Sequence, residues 1–231
     1  MPTQAPPTST KTGLSLQNRI VIGLLAAAAL VVALVVIIGN LGDDPSRTAD
    51  ATGADAQVVR ADSHRLSQAT DEKAVLVEFL DFECESCLAA YPLVEDLSEE
   101  YEENLTVVSR YFPLPGHPNS ETAAVAVEAA AQQGRFKEMH ARMYQTQTEW
   151  SHTDEDRSPV FRGHAEDLGL DMAAYDAAVA DPATLARVLA DRDDGLALGV
   201  RGTPTFFLDG RELTVSSAEE LLAAVDEAVR G

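Results

Sequence analysis

Two cysteines three positions apart, Cys84 and Cys87, sit where an apolar strand gives way to an amphipathic helix, and this junction restricts the fold more than any other feature of the 231-residue chain. Before it, Ala74-Val75-Leu76-Val77-Glu78-Phe79-Leu80 is nearly continuous in apolar residues, the pattern of a strand covered on both faces. After it, Leu88, Tyr91, Val94, Leu97 and Tyr101 recur at three- and four-residue spacing, the stripe of a helix with one buried side. A sulfur at the start of a helix meets unpaired backbone N–H groups and the positive end of the helix dipole, which favour thiolate over thiol. A second thiol one turn later can attack any mixed disulfide that the first one forms. The same two residues would also fit small buried hydrophobes or half of a zinc site. The zinc reading lacks partners: His64, His117, His140, His152 and His164 are scattered singly, and no second Cys-x-x-Cys is present.

Residues 20–38 form a run of Ile, Val, Leu, Ala and Gly without a polar side chain, about 29 Å long as a helix at 1.5 Å per residue and so matched to a bilayer core. Lys11 and Arg19 precede it and Asp43 and Asp44 follow it, so the positive-inside bias puts residues 1–19 in the cytoplasm and the remainder outside. The run is longer than the apolar part of a cleaved signal peptide and lacks a small-x-small end, which favours an uncleaved signal-anchor. From Gly42 on the chain carries all 38 acidic residues and 15 of the 17 basic ones, so 15 minus 38 leaves a formal charge of −23. Nucleic acid is excluded as a partner by that balance, because phosphate binding needs a basic surface. Disulfides persist outside the membrane, yet only two cysteines are kept, and they are too close together to staple a fold.

The Thr-, Pro- and Ser-rich residues 1–19 read as a disordered tail, and 39–56, with Gly, Asp, Pro, Ser and Thr interleaved, as a linker. Gln57–Arg60 and Ser63–Leu66 suggest a first strand or hairpin; the central strand follows at Val75–Phe79. Pro92 lies inside the helix after the cysteines, where it costs a hydrogen bond and bends the axis. Leu105–Phe112 reads as a strand. From Ser120 to Gly199 the pattern is almost wholly helical, with segments at Val160–Leu168, Met172–Ala180 and Ala183–Ala197. Thr205–Leu208 reads as a strand, Asp209-Gly210 as a hairpin turn, Glu212–Val215 as its partner strand and Ala218–Val229 as a closing helix opened by Ser217.

This order resembles the thioredoxin fold of DsbA-like thiol–disulfide oxidoreductases, of the membrane-anchored bacterial type, over roughly residues 57–231. The resemblance is carried by Cys84-Glu85-Ser86-Cys87, by Glu78 six residues before the first cysteine, by Pro92 eight after it, by Gly202-Thr203-Pro204-Thr205-Phe206-Phe207, and by Tyr111-Phe112-Pro113-Leu114 leading into Ala-rich helices. It implies an α/β thioredoxin fold with a helical insert at about 118–199. It also implies a cis Pro204 facing the cysteines, whose neighbour Thr203 would pair with an extended client peptide by strand addition. In that family Cys84 would be the nucleophile, Cys87 the resolving thiol and Glu78 a buried acid that moves the proton of Cys87. The dipeptide Glu85-Ser86 departs from strongly oxidising members. Glu85, with Asp81 and Glu83, is expected to oppose the helix dipole and hold the Cys84 pKa in the ~5–7.5 range.

The expected function is thus oxidation of thiols in exported proteins by a membrane-tethered, extracytoplasmic enzyme. No metal, nucleotide or flavin is called for, since the cysteine pair carries the two electrons, and a membrane redox partner would recycle it. The short 39–56 linker leaves no room for a dimerisation module, which favours oxidation over isomerisation. Three alternatives stand beside it: disulfide reduction at the same location; a dithiol ectodomain for soft Cu(I) with His117 as a third ligand; and an anchored interaction domain with incidental cysteines.

Overall fold

The computed structural model describes residues 56–231. The tail expected at 1–19, the membrane helix at 20–38 and all but the last residue of the linker at 39–56 lie outside the described residues. Among those described, no helix is long and apolar enough to cross a membrane.

The strands are β1 (His64–Ser67), β2 (Ala74–Leu80), β3 (Leu105–Tyr111), β4 (Thr205–Leu208) and β5 (Arg211–Glu212), in the sheet order β1-β3-β2-β4-β5. β2 is the central strand. It runs parallel to β3, from Ala74 opposite Leu105 to Leu80 opposite Tyr111, and antiparallel to β4, with Glu78 opposite Phe206. Because side chains alternate along a strand, Leu76 and Leu80 enter one core with Cys84, Cys87, Val107 and Tyr111. Val77 and Phe79 enter a second core with Val108, Phe112, Val200 and Phe207 on the opposite face. Glu78 shares the face of Leu76 and Leu80, the side on which the cysteines lie.

α1 (Glu85–Glu100) follows the first cysteine directly and contains Pro92, whose side is exposed while Cys87, Val94 and Leu97 are buried. Between β3 and β4 come α2 (Ser120–Ala131), α3 (Phe136–Gln145), α4 (Gln147–Trp150), α5 (Ser158–Asp167), α6 (Met172–Ala180) and α7 (Pro182–Leu198); α8 (Ala218–Arg230) closes the chain. Local chemistry fixes the ends of several of these. Asp171 and Asp181 cap α6 and α7 by accepting from the backbone N–H groups of Ala173, Ala174 and Ala183. Gly199, at φ 98°, ends α7 in the left-handed conformation that glycine adopts without penalty.

The helical insert is tied to the sheet by Arg110, which is fully buried on β3. Its Nε lies 2.8 Å from Asp191 and its Nη2 2.6 Å from Asp194, both on α7, and Arg187 adds a second cation 2.6 Å from Asp191.

Two expectations are corrected by this arrangement. Gln57–Arg60 is not a strand: Arg110 Nη1 donates to the carbonyls of Gln57 and Val58, and the Arg60 side chain pairs with Asp194, so that this backbone serves the insert anchor instead of a ladder. The hairpin strand also starts and stops earlier than Glu212–Val215. Asp209 and Gly210 both have positive φ, 50° and 77°, which makes a tight two-residue turn and sets Arg211 opposite Leu208. Pairing as a strand ends at Glu212, because the chain must leave the sheet to reach Ser217, the cap of α8.

Candidate active site

The site grows from the end of β2. Cys84 stands at the N-cap of α1 with extended backbone angles, φ −79° and ψ 124°, and its side chain makes no capping hydrogen bond. Its sulfur is therefore free to face across the fold, where the thiol donates to the carbonyl oxygen of Thr203 at 3.3 Å. Thr203 is joined to Pro204 by a cis peptide bond, and its buried hydroxyl has no other partner and favours the thiolate. Helix geometry, the sheet and the loop before β4 thus converge on one sulfur.

The two cysteines differ sharply. Cys84 is 7% exposed and Cys87 fully buried. The Cys84 pKa falls to about 5, because the Cys87 thiol donates to its sulfur and Thr203 and the N–H groups of Ser86 and Cys87 add to this, against the cost of burial. Cys87 is pushed well above its ordinary range, chiefly by burial and then by its bond to Cys84 and the nearby Glu78 charge. Glu78 is 3% exposed, and burial, with Cys84 and Glu95 adding negative charge, raises its pKa to about 8. Such a carboxyl still carries a proton near neutrality, beside the thiol that most resists ionising.

The structure brings Cys84, Cys87, Glu78, Thr203 and Pro204 together; Glu85 and Ser86 lie on the exposed first turn of α1. The three acids near Cys84 are placed differently from the expectation that they oppose the dipole. Asp81 is buried and accepts from the N–H groups of Glu83 and Leu114, and His117 Nδ1 lies 2.7 Å from its Oδ2. Burial raises the Asp81 pKa, partly offset by these bonds. Glu83, fully buried, accepts from the N–H groups of Asn119 at 2.7 Å and His152 at 2.8 Å. Glu85 turns outward to His152, 3.2 Å away. With these carboxylates occupied elsewhere, the Cys84 pKa sits at the low end of the expected range.

Several members of the site carry no mark in the sequence. Gln147, buried in α4, donates to the carbonyls of Phe82 at 2.7 Å and Cys84 at 3.0 Å and so fixes the turn before the helix. His117, weighed as a metal ligand, has its Nδ1 committed to Asp81. Asn119 clasps the loop that bears His152, donating to Thr153 O and Glu155 O and accepting from the Arg157 N–H. All three depend on contacts between residues far apart in the chain, which no local pattern announces.

A family model described as Thioredoxin matches residues 69–227. Among solved structures, a thioredoxin-like oxidoreductase from Silicibacter pomeroyi superposes with a TM-score of 0.63 at 24% identity, covering 77% of this chain and 98% of that one. Wolbachia pipientis alpha-DsbA1 gives 0.63 at 15% identity, covering 74% and 93%. Proteus mirabilis ScsC in a transitional conformation gives 0.63 at 22% identity, covering 94% and 99%. The curated relatives carry a different name. The Na(+)/H(+) antiporter NhaA of Herminiimonas arsenicoxydans is 38% identical over 160 residues, which is 69% of this chain but 24% of that protein. NhaA 1 of Salinispora arenicola is 39% identical over 158 residues, 68% of this chain and 23% of that one. The chain spans about a quarter of the length of these two relatives, so the match concerns one part of each. By its matched family and by the fold of its described residues, the chain belongs to the thioredoxin family and has the architecture of the DsbA-like thiol–disulfide oxidoreductases.

Proposed function

We propose that the Cys84–Cys87 pair oxidises thiols of exported proteins, and that the enzyme is tethered to the membrane with its catalytic domain outside. The observation that carries this reading is the contrast between the two sulfurs: Cys84 partly open to solvent with a pKa near 5, Cys87 fully buried with its own pushed upward.

In the oxidising direction a client thiolate attacks Sγ of Cys84 in the Cys84–Cys87 disulfide. A client–Cys84 bond forms, the Cys84–Cys87 bond breaks, and Cys87 leaves as a thiolate that takes a proton from Glu78. A second client thiolate then attacks the client sulfur, closing the client disulfide and expelling Cys84. A thiol that ionises near pH 5 is a good leaving group, and this favours release of oxidised client. Two electrons pass from client to enzyme, and a membrane redox partner that accepts them restores the disulfide. The carbonyl of Thr203, beside Cys84 and ahead of Pro204, offers an acceptor for an extended client backbone.

The apolar run at 20–38 supports the tether, and the acidic stretch after it supports the extracytoplasmic side. That related stretches occur within proteins named Na(+)/H(+) antiporters also supports a membrane setting. The test is alkylation trapping of Cys84 and Cys87 in intact cells, paired with Cys84→Ala. Oxidase work gives a mostly disulfide-bonded pair and a loss of disulfides from exported proteins in the variant. A mostly reduced pair, with exported disulfides unaffected by Cys84→Ala, assigns the chain to the reductases instead.

A further inference from the structure

Glu85 is the residue that sets this Cys-x-x-Cys apart, and in the fold it is not alone. Its Oε1 lies 3.2 Å from Nε2 of His152, a residue far along the chain in the loop between α4 and α5. The placement of His152 does not depend on that pair. Its backbone is held at φ 55°, a left-handed conformation uncommon outside glycine, by the buried Glu83 carboxylate, which accepts its N–H at 2.8 Å. The second oxygen of Glu83 accepts from Asn119, whose amide clasps the same loop at Thr153, Glu155 and Arg157. On its other side the His152 ring meets His117 edge-on, centroids 5.9 Å apart, and His117 is fixed on Asp81. The residues flanking Cys84 on both sides thus address one histidine: Glu83 sets its backbone and Glu85 faces its ring.

We infer that His152 is a positioning residue for the thiol–disulfide exchange: as an imidazolium it draws the Glu85 carboxylate outward, screens it from the Cys84 thiolate and so sets the redox poise of the Cys84–Cys87 pair. The sign follows from charge. An unscreened Glu85 disfavours the thiolate, which weakens the reduced state and strengthens the disulfide; the cation of His152 reverses this. Other charges around the pair are Asp81, Glu83 and His117, each already engaged within the fold. The inference rests on the reading of Cys84 as the exchanging sulfur.

The experiment is the equilibrium of the full chain with glutathione, in which two glutathione thiols reduce the Cys84–Cys87 disulfide and leave as one glutathione disulfide. His152→Asn removes the cation while keeping a residue that tolerates the left-handed backbone. It is expected to shift the equilibrium about threefold toward the protein disulfide, about 14 mV at 30 mV per tenfold, and to raise the Cys84 pKa read from thiolate absorbance. Glu85→Gln shifts it about threefold the other way, His152→Lys restores the parent value, and in the Glu85→Gln background His152→Asn changes nothing further. Equal shifts from His152→Asn with and without Glu85, or no shift at all, overturn the inference while leaving the exchange reaction intact. A parent chain that does not exchange with glutathione overturns the functional reading together with it.

Discussion

Sγ of Cys84 and the carbonyl oxygen of Thr203 lie 3.3 Å apart, although 119 residues separate them in the chain. The contact places the reactive sulfur against the strand-leading turn and turns it away from the buried thiol of Cys87. It also implies an order of reactivity. With its pKa at about 5, Cys84 is mostly thiolate at pH 6, whereas Cys87, pushed upward, is not. Alkylation of the reduced protein at pH 6 should label Cys84 alone, with a rate that rises through a midpoint near pH 5. Peptide mapping that finds label first on Cys87 reverses the two roles. The depressed pKa also stabilises the reduced fold: the benefit is full above the ordinary thiol pKa of 9.0 and is lost as pH falls through about 5. Reduced and oxidised forms should therefore approach one another in melting temperature as pH drops from 8 to 5.

Glu78 works in the opposite sense. Its pKa is raised from 4.5 to about 8, so folding favours the protonated acid, and the cost of ionising it accumulates as pH rises between those values. At 1.36 kcal/mol per unit the full cost is about 4–5 kcal/mol above pH 8. Glu78→Gln removes it. The variant should match the parent in denaturant stability near pH 4.5 and exceed it increasingly toward pH 8, while its mixed disulfides resolve more slowly. A stability gap that does not change with pH would show that the carboxyl is solvated, and an unchanged resolution rate would remove it from the mechanism.

The sequence made the scaffold readable because its signals were local. A continuous apolar run, a three-residue cysteine spacing, Asp181-Pro182 at a helix start and Gly199 at its end each name their element without reference to anything distant. The candidate site was readable for the same reason at Cys84, Cys87 and Glu78, which belong to one strand and the helix after it. What could not be read was direction. Glu83, Cys84 and Glu85 are consecutive, yet one is fully buried on two backbone N–H groups, one faces Thr203 and one reaches out to His152. Net charge near the sulfur therefore overstated how strongly the acids oppose the thiolate. The failure at Gln57–Arg60 has a similar origin: its carbonyls go to Arg110, 53 positions from Gln57, whose burial follows from Asp191 and Asp194.

That buried cation gives a direct test of how the insert is held. Arg110 is fully buried between Asp191 and Asp194, and replacing it with Leu leaves two carboxylates without their main counter-charge. Breaking one side of a buried ion pair costs about 3–5 kcal/mol. Arg110→Leu should lose stability of that order in urea unfolding, and Arg110→Leu combined with Asp191→Leu and Asp194→Leu should recover a good part of it. If the single replacement is nearly neutral, the network is not what fastens α7 to β3.

The other fastening of α7 is steric. A Cβ added at Gly195 would stand 2.7 and 2.8 Å from two ring carbons of Phe112 and 3.1 Å from Phe79, closer than packed carbons approach. Neither ring can simply swing aside. Phe112 is buried in the second core, its ring edge-on to Phe79 at 6.3 Å, and Phe79 is in turn edge-on to Phe207 at 5.6 Å. Two effects compete in Gly195→Ala. Helix propensity favours Ala by about 1 kcal/mol, and overpacking costs about 1–3 kcal/mol. With both short contacts made to rigid rings, the second prevails, and a net loss of about 1–2 kcal/mol is expected from urea unfolding. Phe112→Leu in the same background opens the space, so the double variant should suffer less from the added methyl than the parent does. An increase in stability on Gly195→Ala alone would mean that the aromatic cluster yields, and that close approach of α7 to the sheet does not require glycine.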